Sequence, residues 1–298
     1  MIVRDHLPLR RVWPRVSTRL GALLVFDTTV AMLYALGGFT FLALPSLPLG
    51  MMAAALSIFL AFRTNSAYDR WWEARRLWGS LVNESRTFGR QALTLLDRGN
   101  GDAGSRELVE WQIAYVHALR CHLRGQNPYP EIAGRLPPPL VTWLRSQRNV
   151  PLALLLHAGR QLRAHFDAGR LDSFRFVHLD ATLTRLCDVQ GACERIKNTP
   201  LPRQYEYFPR VMVGAYCLLL PFGLVEGMGL LTPLASTLVS FIFVSLEAIG
   251  RDIEAPFENT VHDTPMGQLS RTIEINLRES MGDTRVPRDV TAIDGFVY

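Results

Sequence analysis

The chain has 298 residues, of which 48% are hydrophobic and 20% charged, with 32 Lys plus Arg against 27 Asp plus Glu. This balance excludes a disordered chain, which needs low hydrophobicity and a large charge imbalance. Four cysteines exclude a disulfide scaffold. The mean hydropathy of +0.10 is typical of neither a soluble enzyme nor a pure membrane bundle, so we expect a chain that combines both kinds of region.

Lysine and arginine are absent from two long windows, residues 20–62 and 211–250. A bilayer core about 30 Å thick needs about 20 apolar residues per helix, so each window is long enough for two spans. The windows break near their middles, at residues 45–50 and 227–233, where glycine and proline are typical of short turns. We predict four transmembrane helices in two hairpins.

The remaining charges predict the orientation of these spans. Residues 1–19 carry five arginines, and residues 63–210 carry 22 basic against 14 acidic side chains. Neither hairpin turn has a basic residue, so the positive-inside rule puts both chain ends and the central region in the cytoplasm. The C-terminal segment 251–298 has five arginines and nine acids, and we expect it to contact the basic central region.

The central region 63–210 is predicted to be a helical insert between the hairpins. No proline or glycine interrupts residues 51–78, so the second span should continue as a helix beyond the membrane. Further helices are predicted at about 106–124, 140–147, 151–168 and 172–196. The expected fold is all-α. One apolar stripe at helical spacing should follow the second span, formed by Trp71, Trp72, Leu77, Trp78, Leu81 and Phe88.

No residue pattern indicates catalysis, a metal or a cofactor. His117 and His122 are five residues apart and Cys187 and Cys193 are six apart, so neither pair shares a helical face, and we interpret the cysteines as small buried residues. Phosphate loops, nucleophile elbows and zinc-helix motifs are missing. The basic residues are interspersed with acids, which favours a solvated surface over a nucleic-acid interface.

A motif at the end of the second span resembles the signature of the bacterial bestrophin homologues. Residues 62–65 read Phe-Arg-Thr-Asn, and residues 68–75 read Tyr-Asp-Arg-Trp-Trp-Glu-Ala-Arg. Residues 193–202 and 253–257 are similar to later segments of that family. Glu258 departs from the usual glycine, and the calcium-binding acidic cluster of animal bestrophins is missing. We interpret the motif as structural, with the residues Arg63, Asn65, Tyr68, Asp69, Arg70, Trp71 and Trp72.

The resemblance implies a homopentameric ion channel in the bacterial inner (plasma) membrane, with a central pore whose neck is lined by the second span. Ala54, Ile58 and Phe62 lie at i, i+4 and i+8, on one face of that helix. Residues at this spacing also pack against neighbouring helices, but the resemblance favours a hydrophobic neck that gates by dewetting. It also implies a cytoplasmic constriction, for which Phe174 and Val177 are the candidates.

The neck carries no charge that selects an ion. By the resemblance, animal bestrophins pass anions, whereas bacterial homologues look more like monovalent-cation channels. Arginine supplies 31 of the 32 basic residues, a bias associated with GC-rich bacterial genomes, so cations such as Na⁺ are favoured. A chloride channel of the same architecture, a secondary transporter and a membrane-anchored scaffold or sensor without a pore are the alternatives.

Three acids lie within the apolar windows, where carboxylates are functional candidates. Asp27 could accept hydrogen bonds from serine or threonine hydroxyls or remain protonated. Glu247 is four residues from Arg251, and we expect a pair on the helix surface. Glu226 lies next to the second turn, where it could concentrate cations at an outer mouth.

Overall fold

The computed structural model describes residues 9–96 and 103–292, with side chains from Val16 onward. Within these ranges the chain is all-helical without a β-strand, as the sequence predicts. The α-helices are α1 (Leu9–Ala35), α2 (Ser46–Leu95), α3 (Ala103–Leu123), α4 (Tyr129–Ile132), α5 (Pro138–Arg145), α6 (Val150–Asp167), α7 (Ser173–Asn198), α8 (Arg203–Met228), α9 (Thr232–Glu254) and α10 (Met266–Ser280).

These helices divide into two compact units. The apolar unit contains the described residues 9–70 and 200–255, and the charged unit contains 71–96, 103–199 and 256–292. Three stretches of the described chain are long and apolar enough to cross a membrane: Val16–Ala35, Thr40–Leu95 and Arg203–Glu254. The last stretch includes both α8 and α9, so all four predicted spans fall within helices of the apolar unit.

The two hairpin turns differ in how well the sequence locates them. The second turn lies where glycine and proline predict it, because α8 ends at Met228, Gly229 has φ +51° and α9 begins at Thr232. The first turn comes earlier than predicted, since α2 already begins at Ser46. Pro48 falls in the first turn of that helix, where its missing N–H has no intrahelical partner to lose.

The core of the apolar unit joins α1, α2, α8 and α9. Leu20, Leu56, Val213 and Val244 belong to one cluster of buried apolar side chains. Gly223 of α8 lies against Leu49 of α2 so closely that a Cβ on the glycine would come within 2.0 Å of Leu49 Cδ1. A small residue therefore lets these two helices approach each other.

The charged unit packs the rest of α2 against α3, α7 and α10. The stripe of α2 that is buried repeats at alternating spacings of four and three: Ala74, Trp78, Leu81, Ser85, Phe88 and Ala92. Trp78, Leu81 and Phe88 were predicted correctly, but the prediction for Trp72 was wrong. Its side chain is exposed because it lies on the opposite side of the helix from Ala74 and Trp78.

The acidic C-terminal segment contacts the basic central region, which confirms the prediction from charge. Glu274 of α10 is buried, and its Oε1 lies 2.6 Å from Arg135 Nη2. Nε2 of the buried His117 lies 3.0 Å from Glu274 Oε2, and its Nδ1 lies 3.1 Å from Glu131 Oε2. Arg271 and Arg278 pair with the same Glu274 carboxylate. The pairs link α3, α4 and α10.

Two carboxyl groups in this cluster ionise unusually easily. Burial raises the pKa of Glu274, but the hydrogen bond from His117 and the charge of Arg135 outweigh burial and lower the pKa to about 2. The hydrogen bond from His117 likewise lowers the pKa of Glu131 to about 2, against an opposing effect of burial. The charged unit thus contains carboxylates that stay ionised where acids usually take up protons.

The cysteines do not all follow the prediction that they are small buried residues. Cys193 is buried, and burial raises its pKa to about 12. Cys187 is exposed, so the prediction was wrong for this residue. Along the part of the chain that the structure describes, no group of three His, Cys, Asp or Glu side chains is placed to hold a metal ion.

Candidate functional site

The membrane-length part of α2 has one buried face and one exposed face. The buried face consists of Leu49, Leu56, Leu60, Arg63 and Ala67, which recur at spacings of seven, four, three and four. Each residue advances the helix by about 100°, so these five positions share one side. This side packs into the core of the apolar unit, and it fixes which residues of α2 point away from that core.

The predicted neck residues lie on the exposed face. Ile58 is 57% exposed and Phe62 is 63% exposed, and Ala54 is exposed as well. Ile58 lies about 160° round the helix from Leu56, whereas Phe59 lies only about 60° from it. Phe59 is also exposed, but Ile58 is more directly opposite the buried face. The neck face, defined as Ala54, Ile58 and Phe62, is therefore uncovered within one chain.

Arg63 anchors the inner side of the same helix. Its side chain is 1% exposed, and its Nη1 lies 3.6 Å from Glu247 Oε1 and donates a hydrogen bond of 3.3 Å to the Glu247 carbonyl oxygen. Its Nη2 lies 3.5 Å from Glu254 Oε2. Because an isolated buried guanidinium would be very costly, two carboxylates from α9 are what make this position tolerable.

Glu247 is the centre of this anchor rather than half of a surface pair. Its side chain is only 2% exposed, and Arg251 lies 3.9 Å from its carboxylate. Arg63 and Arg19 both lie at 3.6 Å from its carboxylate oxygens. The surface interpretation was wrong because the nearest residue in sequence is not the nearest partner in the folded bundle.

A sequence signal for the anchor exists in α9. Glu247, Gly250 and Glu254 are spaced at i, i+3 and i+7, which puts two acids and a glycine on one helix face. A Cβ at Gly250 would lie 3.3 Å from Thr64 Oγ1, so the glycine allows α9 to approach α2 closely. Acids flanking a glycine in an apolar helix therefore mark a partner helix that brings a cation.

The other signature residues divide between the units. In the apolar unit, Arg70 Nε donates a 2.9 Å hydrogen bond to the carbonyl oxygen of Glu254, near the end of α9 where carbonyls lack intrahelical donors. Asn65, Tyr68 and Asp69 are exposed. In the charged unit, Trp71 Nε1 donates a 2.8 Å hydrogen bond to the carbonyl oxygen of His262, and its ring stacks on that of Trp72.

The candidates for the cytoplasmic constriction lie at the start of α7. Asp172 caps this helix by accepting a 2.8 Å hydrogen bond from the Arg175 backbone N–H. Phe174 is 83% exposed and Val177 is 62% exposed, whereas Leu179 is buried. Large apolar side chains are thus presented outward on the first turns of α7, as on the neck face of α2.

The two remaining acids of the apolar windows have different surroundings. Glu226 is exposed in the last turn of α8. Asp27 is fully buried, and its Oδ2 accepts a 3.4 Å hydrogen bond from Thr237 Oγ1, as one of the two alternatives from the sequence expects. Ser236 and Ser240 of α9 are also fully buried, so polar side chains line this part of the interior.

The fold and these faces define a class of protein: a helical membrane protein whose spans fill their own core yet leave apolar helix faces uncovered. The model of the family described as Bacterial/Fungal Bestrophin protein matches residues 9–279. The chain therefore belongs to the bacterial and fungal bestrophin family of ion channels, as the motif of residues 62–75 indicates.

Individual relatives agree with this assignment. A voltage-dependent anion channel-forming protein of Ralstonia nicotianae is 39% identical over 84% of this chain and 81% of its own length. Voltage-dependent anion channel-forming protein YneE of Escherichia coli K12 is 33% identical over 97% of both chains. A bacterial bestrophin homologue from Klebsiella pneumoniae has a solved structure with a TM-score of 0.86, 30% identity and coverage of 91% of this chain and 100% of that one.

Proposed function

We propose that this chain assembles as a homopentamer around one central pore and conducts monovalent ions, with anions favoured, across the bacterial inner membrane. The observation that carries the proposal is the uncovered neck face of α2, directly opposite the face that packs into the apolar unit. Both chain ends are taken to be cytoplasmic on the distribution of arginines.

A pore on a symmetry axis suits the packing of a single chain. The hydrophobic cluster that joins α1, α2, α8 and α9 consists mainly of leucine, valine and aromatic side chains, which offer an ion no ligands. Ala54, Ile58 and Phe62 point away from that interior, so they can line a pore only if several copies surround a common axis. Mass measurement of the purified protein in detergent tests this step, and a monomer alone would exclude the channel.

In this proposal the neck limits the ion current because it is narrow and its walls are apolar. Five copies of Ile58 and Phe62 form rings of branched and aromatic side chains that give a permeating ion no replacement for its water. Ile58→Ala with Phe62→Ala removes this bulk, and we expect about a twofold or larger rise in unitary current or open probability. Single-channel recording in planar bilayers measures both quantities.

Phe59→Ala is the matched control for the neck variant. Phe59 is 56% exposed on the same turn of α2, yet it lies nearer to the buried face, so its removal should leave the current unchanged. If Phe59→Ala raises the current while the double variant matches the parent, the pore-lining face is the one that contains Ala55 and Phe59.

Anion conduction is favoured by the names of the relatives, which are called voltage-dependent anion channel-forming proteins. The preference for cations, which we took from the resemblance to bacterial homologues and from the arginine bias, has no support from these relatives. A reversal-potential measurement across a KCl gradient tests the sign directly, since anion and cation currents reverse at opposite voltages. If Glu226 lies at the outer mouth, Glu226→Gln should raise anion permeability by removing a repelling charge.

The cytoplasmic constriction is proposed at the start of α7. Phe174 and Val177 are both exposed, so five copies would add a second apolar ring to the path. Phe174→Ala should raise the current independently of the neck variant if the two constrictions lie in series. An intact pentamer that conducts no ions would favour the scaffold or sensor instead.

A further inference from the structure

A cavity of about 340 Å³ opens between α1, α8 and α9 in the apolar unit. Its walls are apolar except at one end, where two arginines and a glutamate line it. The lining residues are Arg19, Ala22, Leu23, Arg210, Val213, Gly214, Leu218, Val244 and Glu247.

The two outer helices present the same pattern to this cavity. On α1, Arg19 is followed on the same face by Ala22 and Leu23, at i+3 and i+4. On α8, Arg210 is followed by Gly214 and Leu218, at i+4 and i+8. Each helix thus presents a guanidinium to the cavity, followed further along the same face by small or apolar side chains. A groove with a basic end and an apolar length is the result.

The basic end retains unneutralised positive charge. Arg210 is exposed and forms no ion pair with an acid of the described chain. Arg19 is 42% exposed and shares Glu247 with the buried Arg63. One carboxylate therefore meets three guanidinium groups, since Arg251 also lies 3.9 Å from it. The end of the groove suits an anion.

We propose that this groove binds an anionic phospholipid. Its headgroup phosphate lies between Arg19 and Arg210, because guanidinium groups bind phosphate oxygens in a bidentate manner. One acyl chain lies along Ala22, Leu23 and Leu218, where Gly214 leaves open space. Basic pockets between spans on the cytoplasmic side are typical of sites for anionic lipid headgroups. The orientation is the one in the proposed function, but the site does not depend on conduction.

A lipid fits this groove better than free phosphate. Free phosphate would gain nothing from the apolar length, whereas an acyl chain would cover it. Leu218 is 49% exposed on a helix of membrane length, as expected for a side chain that meets lipid. Among the side chains that the structure describes, the shared Glu247 is the one carboxylate that lines the groove.

Native mass spectrometry of the purified protein tests the proposal with phosphatidylglycerol, phosphatidylcholine of matched acyl chains, and glycerol phosphate. We expect bound phosphatidylglycerol, at least tenfold weaker binding of phosphatidylcholine, and none of glycerol phosphate. A basic residue near the membrane surface contributes about fivefold in affinity, so Arg19→Gln with Arg210→Gln should lower phosphatidylglycerol binding about 30-fold.

Two further variants make the result specific. Arg90→Gln with Arg148→Gln removes two exposed arginines of the charged unit and should leave binding unchanged. Gly214→Leu fills the groove without changing charge and should also lower binding. Arg19→Lys with Arg210→Lys keeps the charge and should restore most of the affinity if the double glutamine variant folds poorly.

The proposal is overturned if phosphatidylcholine binds as well as phosphatidylglycerol, or if both double glutamine variants lose binding equally. Binding of glycerol phosphate at the affinity of the lipid would identify a free phosphate site instead. If the double variant at Arg19 and Arg210 lowers the oligomer mass and no lipid is bound by the parent, a second copy covers the groove. Lipid binding by a protein that carries no current would leave this proposal standing without the channel.

Discussion

The charged unit and the apolar unit each bury a cluster of ion pairs, but the apolar unit leaves far more of its large apolar side chains exposed. In the charged unit, a buried carboxylate, Glu274, is surrounded by His117, Arg135, Arg271 and Arg278. In the apolar unit, buried ion pairs gather at Arg63, Glu247 and Glu254, while large apolar side chains such as Ile58 and Phe62 face outward.

This difference indicates the surroundings to which each unit is suited. The charged unit buries most of its large apolar side chains, although Phe174 and Val177 are exposed, and it pairs the buried Glu274 with cations of the same chain, as expected for a unit in contact with water. The apolar unit leaves large apolar faces uncovered, as expected for helices that contact lipid and, under the proposed function, further copies of the chain. The following variants test the comparison, beginning with the largest expected effect.

Glu274→Ala should be the most damaging change in the charged unit. It leaves several buried or half-buried cations without their shared carboxylate, at a cost of about 3–5 kcal/mol in the free energy of unfolding. Five of the six tryptophans lie between residues 71 and 143, so urea unfolding followed by tryptophan fluorescence reports on this unit.

Glu279→Ala provides the control for Glu274→Ala, because Glu279 is an exposed acid on the same helix. It should change the free energy of unfolding by less than about 0.5 kcal/mol. Equal unfolding midpoints for the two variants would mean that the Glu274 cluster does not stabilise the unit.

Arg63→Ala should destabilise the apolar unit as Glu274→Ala destabilises the charged unit. Removing the guanidinium leaves Glu254 without its paired Arg63 and leaves Glu247 with only Arg19 and Arg251. We expect the free energy of unfolding to fall by about 3 kcal/mol. We also expect a lower yield of assembled oligomer on size-exclusion chromatography. Arg203→Ala removes an exposed arginine of the same unit, and a comparable loss there would contradict the anchor.

Acid should weaken the charged unit through Glu274. Its pKa is lowered from 4.5 to about 2 in the folded chain, so its contribution is complete above about pH 4.5 and disappears as the pH falls toward 2. The full contribution to the free energy of unfolding is about 3 kcal/mol. Unfolding curves between pH 7 and pH 3 should show this loss in the parent, and Glu274→Gln should flatten it.

Alanine substitutions of glycines at close helix contacts should have the smallest effect on the free energy of unfolding. The effect should be similar in both units. A Cβ at Gly223 would come within 2.0 Å of Leu49 Cδ1, and one at Gly89 within 2.3 Å of Leu277 Cδ2. Each alanine substitution should cost about 1–2 kcal/mol, since overpacking exceeds the helix propensity that alanine gains.

The matched alanine variants are at Gly214 in the apolar unit and Gly191 in the charged unit, where a Cβ would meet no atom within 4 Å. These should be neutral or stabilising. Thermal unfolding in detergent measures all four variants. A penalty for Gly89→Ala without one for Gly223→Ala would mean that the apolar unit is packed more loosely.

The sequence by itself determined the helical class, the apolar windows and the family motif. Each depends on local information: runs without basic residues, the spacing of apolar side chains, and a short string of residue types. It also determined that the acidic C-terminal segment contacts the basic region, because complementary net charges do not require a known register. The turn at Gly229 was equally local, since a positive φ there favours glycine.

Only the tertiary structure shows which residues form ion pairs with each other. Glu247 pairs with Arg63, which is 184 residues away in sequence, because α2 and α9 lie side by side and Gly250 lets them approach. The start of α2 was misjudged because Pro48 is tolerated in a first helical turn as readily as in a loop. Trp72 was misassigned because its neighbours Ala74 and Trp78 decided which face was buried. Packing between distant segments sets these outcomes, and no local pattern contains that information.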